Sequence, residues 1–124
     1  MNNGKRRILV VDDDPKHLQT TREILELEGY EVTVHDTPFR TTELVNNTRP
    51  DLVLLDVNMP ALSGDRLCSL IRANGSRHET AILFYSSNDE ETLRASVQRH
   101  GANGYVCKGD IAGLRRKVAR VLAA

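Results

Sequence analysis

Two cysteines, Cys68 and Cys107, are all that the 124 residues contain. They are too few and too far apart for a disulfide framework or for the CxxC spacing of a zinc site, and both read as small buried hydrophobes. Net charge is also missing, because 17 Lys and Arg offset 17 Asp and Glu, so no bulk positive field draws the chain onto nucleic acid or anionic lipid. Apolar runs such as Leu52 to Leu55 fall far short of the roughly 18 residues of a membrane span. No signal-peptide pattern opens the chain, and the expectation is a soluble, cytoplasmic protein without a membrane or direct nucleic-acid partner. Neither GxGxxG nor GxxxxGK with a following Ser or Thr follows the first apolar run, which argues against a dinucleotide or nucleoside-triphosphate binder.

What is present is a 40% apolar composition on a chain of one-domain length, 1–124, with a basic, polar lead-in over residues 1–7 that reads as flexible. Apolar, β-branched runs alternate with helical patterns. Strands are predicted at Ile8 to Val11, Tyr30 to His35, Leu52 to Asp56, Ala81 to Ser86 and Gly104 to Cys107. Helices are predicted at Leu18 to Glu28, Pro38 to Asn47, Gly64 to Asn74, Glu90 to His100 and Ile111 to Leu122. Five strand-helix units with continuous apolar strands imply an α/β fold, a doubly wound parallel sheet with helices on both faces. Thr37 is expected to cap the second helix and Ser63 the third, with Gly29 ending the first. Ile111, Leu114, Val118, Val121 and Leu122 form the buried stripe of the last helix, opposite Arg115, Arg116, Lys117 and Arg120. Without interleaved aromatics or a recognition motif, that basic side reads as a solvated face.

In an open parallel sheet the binding crevice lies beyond the carboxyl ends of the strands. The first strand ends in Asp12, Asp13 and Asp14, the third in Asp56 and Asn58, the fourth in Ser86 and Ser87, and the fifth in Lys108. Each Asp alone is as readily a helix cap. Together, clustered carboxylates require a cation or a raised pKa on one member. Mg2+, held by one or two carboxylates and phosphate oxygens, answers this with Asp13 and Asp56, and Asp12 acting through water. An aspartate can attack phosphorus, and the developing charge then calls for a metal, a cationic side chain and a hydrogen-bond donor. Lys108 and Ser86 are those two protein groups. His17, His35, His78 and His100 show no ligand spacing and read as solvated surface.

These residues resemble the receiver domains of two-component response regulators, the CheY-like family. The resemblance runs through Ile8 to Asp14, Asp51 to Pro60, Ser86 and Gly101 to Lys108. It implies a flavodoxin-like, five-stranded sheet of order 2-1-3-4-5, and a phosphoacceptor that is modified in a Mg2+-dependent reaction with a histidine kinase or histidine phosphotransfer protein. Asp56 looks like the phosphoacceptor. Asp13, Asp56 and the Asn58 backbone carbonyl would hold Mg2+, with Asp12 supporting through water, and Lys108 would pair with the phosphoryl group. Ser86 and Tyr105 look like the switch pair. Asn58 and Asn88 stand where the family tunes the phosphoryl lifetime. The altered surface would be the fourth helix, fifth strand and fifth helix, here Asn88 to His100 and Gly104 to Leu122, engaging a downstream protein or an output domain. A phosphorylation-dependent dimer stays open, as does a stand-alone protein against part of a longer regulator.

One position departs from the family pattern. Gly109 stands where most receivers carry a proline after a cis bond, and a cis bond without proline costs about 2.5–4 kcal/mol. A trans Lys108-Gly109 bond and a looser loop are therefore predicted. Tyr85, bulky beside the site, reads as ordinary strand packing. Two rival readings share part of this residue set. Haloacid dehalogenase phosphatases need a second acid two residues after the nucleophile, where Asn58 stands and cannot serve as general acid. A pseudo-receiver, an unphosphorylated interaction module, would show degraded site residues, and apart from the proline none is missing.

Overall fold

The computed structural model describes residues 4–74 and 80–123. Strands β1 (Arg7–Val11), β2 (Glu31–His35), β3 (Leu52–Leu55), β4 (Ala81–Ser86) and β5 (Gly104–Cys107) alternate with helices α1 (Pro15–Leu27), α2 (Thr41–Thr48), α3 (Gly64–Ala73), α4 (Glu90–His100) and α5 (Ile111–Ala123). The strands form one parallel sheet in the order β2-β1-β3-β4-β5. Its register pairs Val11 with His35 and Leu55, and Leu55 in turn with Phe84. At the far edge Ser86 pairs with Cys107. β1 and β3 end level, at Val11 and Leu55, and β4 and β5 run two residues further along the same edge, to Ser86 and Cys107.

Successive strand residues point to opposite faces, which explains why the central strands are apolar throughout. Ile8, Val10, Leu52, Leu54 and Leu83 pack on one face with Leu18 and Leu25 of α1 and with Leu114, Val118 and Leu122 of α5. Leu9, Val11, Val53, Leu55, Ile82 and Phe84 pack on the other with Val45 of α2, with Leu67, Cys68 and Ile71 of α3, and with Leu93 of α4. Each fully buried Leu, Val, Ile or Phe contributes about 1.5–3 kcal/mol, so both faces anchor the strand ends that carry polar groups.

The helix starts differ from the sequence reading. α1 begins at Pro15, ahead of Leu18, because Asp14 caps it by accepting from Lys16 N–H at 3.0 Å and proline sits comfortably in the first turn. α2 begins at Thr41, not Pro38. Thr37 Oγ1 accepts from Phe39 N–H (3.2 Å) and Thr41 Oγ1 donates to the Pro38 carbonyl (2.7 Å), so residues 37–40 form a turn that ends in Arg40 at φ 65°. Ser63 occupies the N-cap position of α3 without making the capping bond. Its hydroxyl is directed to the Asp65 carboxylate. Gly29 follows α1 with φ 94°, as expected for a left-handed helix end. Arg7 of the lead-in is already part of β1, and residues 1–3 lie outside the described residues.

Four side chains also depart from expectation. Ile111 is 41% exposed, so the buried stripe of α5 starts at Leu114. Cys107 is half-buried, whereas Cys68 is buried and its thiol is pushed up to about 11 by that burial. His100 is not a solvated surface residue. Its Nδ1 lies 2.8 Å from Ser69 Oγ and its Nε2 3.6 Å from Asp65 Oδ2, between α3 and α4. His35 also departs from the solvated-surface reading, being half-buried with its Nε2 2.7 Å from the Phe39 carbonyl oxygen; His17 is exposed, and His78 lies outside the described residues.

Candidate functional site

β1, β3 and β5 bring Asp12, Asp13, Asp56 and Lys108 to one end of the sheet. Oxygens of Asp12, Asp13 and Asp56 lie within 4.8 Å of one another; Asp12 and Asp56 are buried and Asp13 is exposed. Lys108 Nζ donates to Asp12 Oδ2 at 2.8 Å and lies 3.5 Å from Asp56 Oδ2. The ammonium therefore neutralises part of a negative cluster that the fold has taken out of water. Burial pushes the Asp56 carboxyl above its ordinary range and the charges of Asp12 and Asp13 push the same way, against the pull of Lys108 and of the Asn58 N–H. Three carboxylates facing one ammonium leave an excess of negative charge and oxygen donors, a set suited to a hard divalent cation.

The rim is made of polar side chains tied to one another. Asp12 Oδ1 accepts from Asp14 N–H (3.0 Å) and Asp56 Oδ1 from Asn58 N–H (3.1 Å). Ser86, fully buried at the end of β4, accepts from the Asn58 side-chain amide (3.0 Å) and from Asn88 N–H (3.2 Å). Asn58 Nδ2 also donates to Asn88 Oδ1 at 2.9 Å. Tyr105 stands apart from this cluster. It is half-buried, and its hydroxyl donates to Glu90 Oε1 (2.9 Å) in the first turn of α4, with Arg94 Nη2 3.4 Å away.

The loop after Lys108 forms a turn. No peptide bond among the described residues is cis, and Gly109 has φ 94°. Asp110 N–H closes a turn on the Cys107 carbonyl at 3.1 Å. A positive φ at the third residue of such a turn favours glycine, so a tight turn replaces the bend that proline makes in most receivers. Tyr85 is buried beneath it. Burial raises its phenol, which the Gly109 N–H hydrogen-bonds, and Lys108 Nζ stands 6.0 Å from the ring centroid.

Known proteins resemble this chain over most of its length. A family model, the response regulator receiver domain, matches residues 8–119. The chain belongs to that family. Receiver domains are signalling modules of two-component response regulators. The receiver is 36% identical over 102 residues to response regulator MprA of Mycobacterium sp. (strain KMS), covering 82% of this chain and 44% of that protein. It is 30% identical to protein RcaC of Microchaete diplosiphon, again over 82% of this chain but 16% of that one. The receiver thus spans under half the length of these relatives. Among solved structures, a CheY-like receiver domain protein from Methanospirillum hungatei superposes with a TM-score of 0.86 at 27% identity, covering 97% of this chain and 95% of that one. Response regulator protein TrrA from Thermotoga maritima, solved in complex with Mg(2+)-BeF, gives 0.83 at 29% identity, covering 94% and 98%. No helix among the described residues is long and apolar enough to cross a membrane.

Three site features escaped the sequence reading. Gly64 sits against the Asp56 backbone so closely that a Cβ would overlap the carbonyl oxygen. A glycine at a first helical position, where most residues serve better, was the available signal. His17 Nδ1 lies 3.8 Å from Asp12 Oδ2 and 3.9 Å from Asp14 Oδ2, at a spacing that the first turn of α1 brings together. The Glu90 and Arg94 partners of Tyr105 had no sequence signal, since the pairing joins α4 to β5.

Proposed function

We propose that this receiver accepts a phosphoryl group on Asp56 from a histidine kinase or histidine phosphotransfer protein and changes its α4, β5 and α5 surface in consequence. The observation that carries the reading is Lys108 Nζ set between the Asp12 and Asp56 carboxylates, 2.8 and 3.5 Å away. A buried carboxylate beside a fixed cation, at the carboxyl edge of a parallel sheet, suits an in-line displacement at phosphorus.

The Asp56 carboxylate oxygen attacks the phosphorus of a phosphohistidine. An O–P bond forms as the N–P bond breaks, and the departing imidazole nitrogen keeps the bonding pair and takes up a proton. Lys108 faces the charge that develops on the phosphoryl oxygens, and Ser86 supplies an O–H donor to them. Asp13, Asp56 and the Asn58 carbonyl would hold Mg2+, with Asp12 in support through water; when bound, it neutralises the carboxylates and the transferring phosphoryl oxygens. Water attack on phosphorus later releases inorganic phosphate and restores the carboxylate, with Asn58 and Asn88 at the rim where that water enters. Ser86 and Tyr105 form the switch pair, and the changed surface engages a downstream protein, an output domain or a second copy of the receiver.

The test is intact mass after incubation with Mg2+ and a small acyl phosphate. A phosphoryl adduct on the wild type that is absent from Asp56→Asn and from a chelated control is expected. Absence of any adduct under conditions that label other receivers would turn the assignment to an unphosphorylated interaction module.

A further inference from the structure

A buried hydroxyl has two lone pairs and one proton to place. At Ser86 both acceptor positions are filled, by Asn88 N–H at 3.2 Å and by the Asn58 side-chain amide at 3.0 Å. The second amide proton of Asn58 goes to Asn88 Oδ1 at 2.9 Å. One side chain from the loop after β3 therefore spends both donors on the last residue of β4 and the loop that follows it. The backbone N–H of the same residue donates to Asp56 Oδ1 at 3.1 Å. Asn58 is thus bonded at once to the carboxylate that would be modified and to the hydroxyl that would respond.

We infer that the Asn58 amide is a latch that holds Ser86 in the unphosphorylated arrangement. It would then set how readily Asp56 takes up a phosphoryl group, separately from any effect on the phosphoryl lifetime. The inference rests on the reading of Asp56 as phosphoacceptor and Ser86 as the responding hydroxyl. The latch requires that Ser86 Oγ leave the Asn58 amide as it turns toward an anion on Asp56, so that this bond stabilises only the starting arrangement. An interaction present in one of two states biases the equilibrium by its own free energy. Loss of the amide therefore favours the switched state and tightens binding of anything that requires it. Asn58 acts through Ser86 and is a positioning residue. Its side chain is exposed, so replacing it removes no core contact.

The test uses Mg2+ and beryllofluoride, a non-hydrolysing phosphoryl analogue, titrated into the wild type and variants and followed by backbone amide shifts. Asn58→Ala is expected to bind roughly three- to tenfold more tightly, the worth of one ordinary hydrogen bond. Asn88→Ala, which keeps the Asn58 bond to Ser86, should gain less. In a Ser86→Ala background the Asn58→Ala gain should vanish, which a general loosening of the loop would not produce. Unchanged or weaker binding by Asn58→Ala, or an equal gain without Ser86, would overturn the latch while leaving Asp56 as phosphoacceptor. No binding by the wild type would overturn both.

Discussion

Gly64 packs its Cα directly on the backbone carbonyl of Asp56, so the first residue of α3 touches the end of β3 at the residue proposed to be modified. Gly64 N–H also donates to the Val57 carbonyl at 3.0 Å. In an exposed helix, alanine in place of glycine gains about 1 kcal/mol. Here an added Cβ meets backbone that cannot rotate away, and overpacking costs about 1–3 kcal/mol. Because the overlap is with backbone, the upper part of that range applies, and Gly64→Ala should lower stability by about 1–2 kcal/mol net, read as a reduced urea midpoint, and should reduce the yield of the acyl-phosphate adduct. An unchanged midpoint with full yield would show that α3 can slide away freely.

Asp56→Asn should raise the unfolding midpoint at neutral pH. The folded carboxyl has its pKa above the ordinary 3.8, first through burial, so the folded state binds a proton more readily than the unfolded chain. Stability from this group is present below 3.8 and lost as pH rises through the folded value. The gap between variant and wild type should be widest near neutral pH and close in acid. Added Mg2+ should raise the wild-type midpoint more than the variant's. Parallel thermal melts from pH 3 to 8, with and without Mg2+, measure both effects.

Asp65 carries the opposite sign. Burial alone would raise its carboxyl, but hydrogen bonds from Ser63, Arg66 N–H and Ser96, with the nearby His100, hold it below the ordinary 3.8. Its stabilisation is present above that value and lost as pH falls through the lower, folded one. Asp65→Asn should destabilise at neutral pH, by loosening α3 from α4, and the difference should disappear in strong acid. A pH-independent difference would assign the loss to packing and not to charge.

Gly109 tests whether the turn or the family's proline suits this chain. At φ 94° a Cβ meets no atom within 4 Å, so the cost of Gly109→Ala is conformational, about 1–2 kcal/mol. Proline fixes φ near −65° and cannot occupy this turn, so Gly109→Pro should lose more stability than Gly109→Ala and should lower adduct yield by displacing Lys108. Stability of Gly109→Pro equal to the wild type would show that the loop re-forms in another way.

The amino-acid sequence by itself determined the alternation of five strands and five helices, the two-sided burial of the central strands, and which residues stand at the strand ends. Those properties are local: the apolar runs and the Asp12, Asp56, Ser86 and Lys108 positions follow from periodicity and from where each run stops. Tertiary structure alone decided which partners those residues meet. Lys108 reaches Asp12 across 96 positions of chain, Asn58 reaches Ser86 across 28, and His100 is drawn off the surface by Ser69 across 31. Ile111 reads as core because its spacing fits the stripe, yet as the first residue of α5 it is 41% exposed. Thr37 read as a cap because its side chain suits one, but the chain used that hydroxyl to close a turn before α2. A side chain's type restricts which bonds it can make, while the bond it makes depends on groups that only the packed sheet and helices bring within about 3 Å.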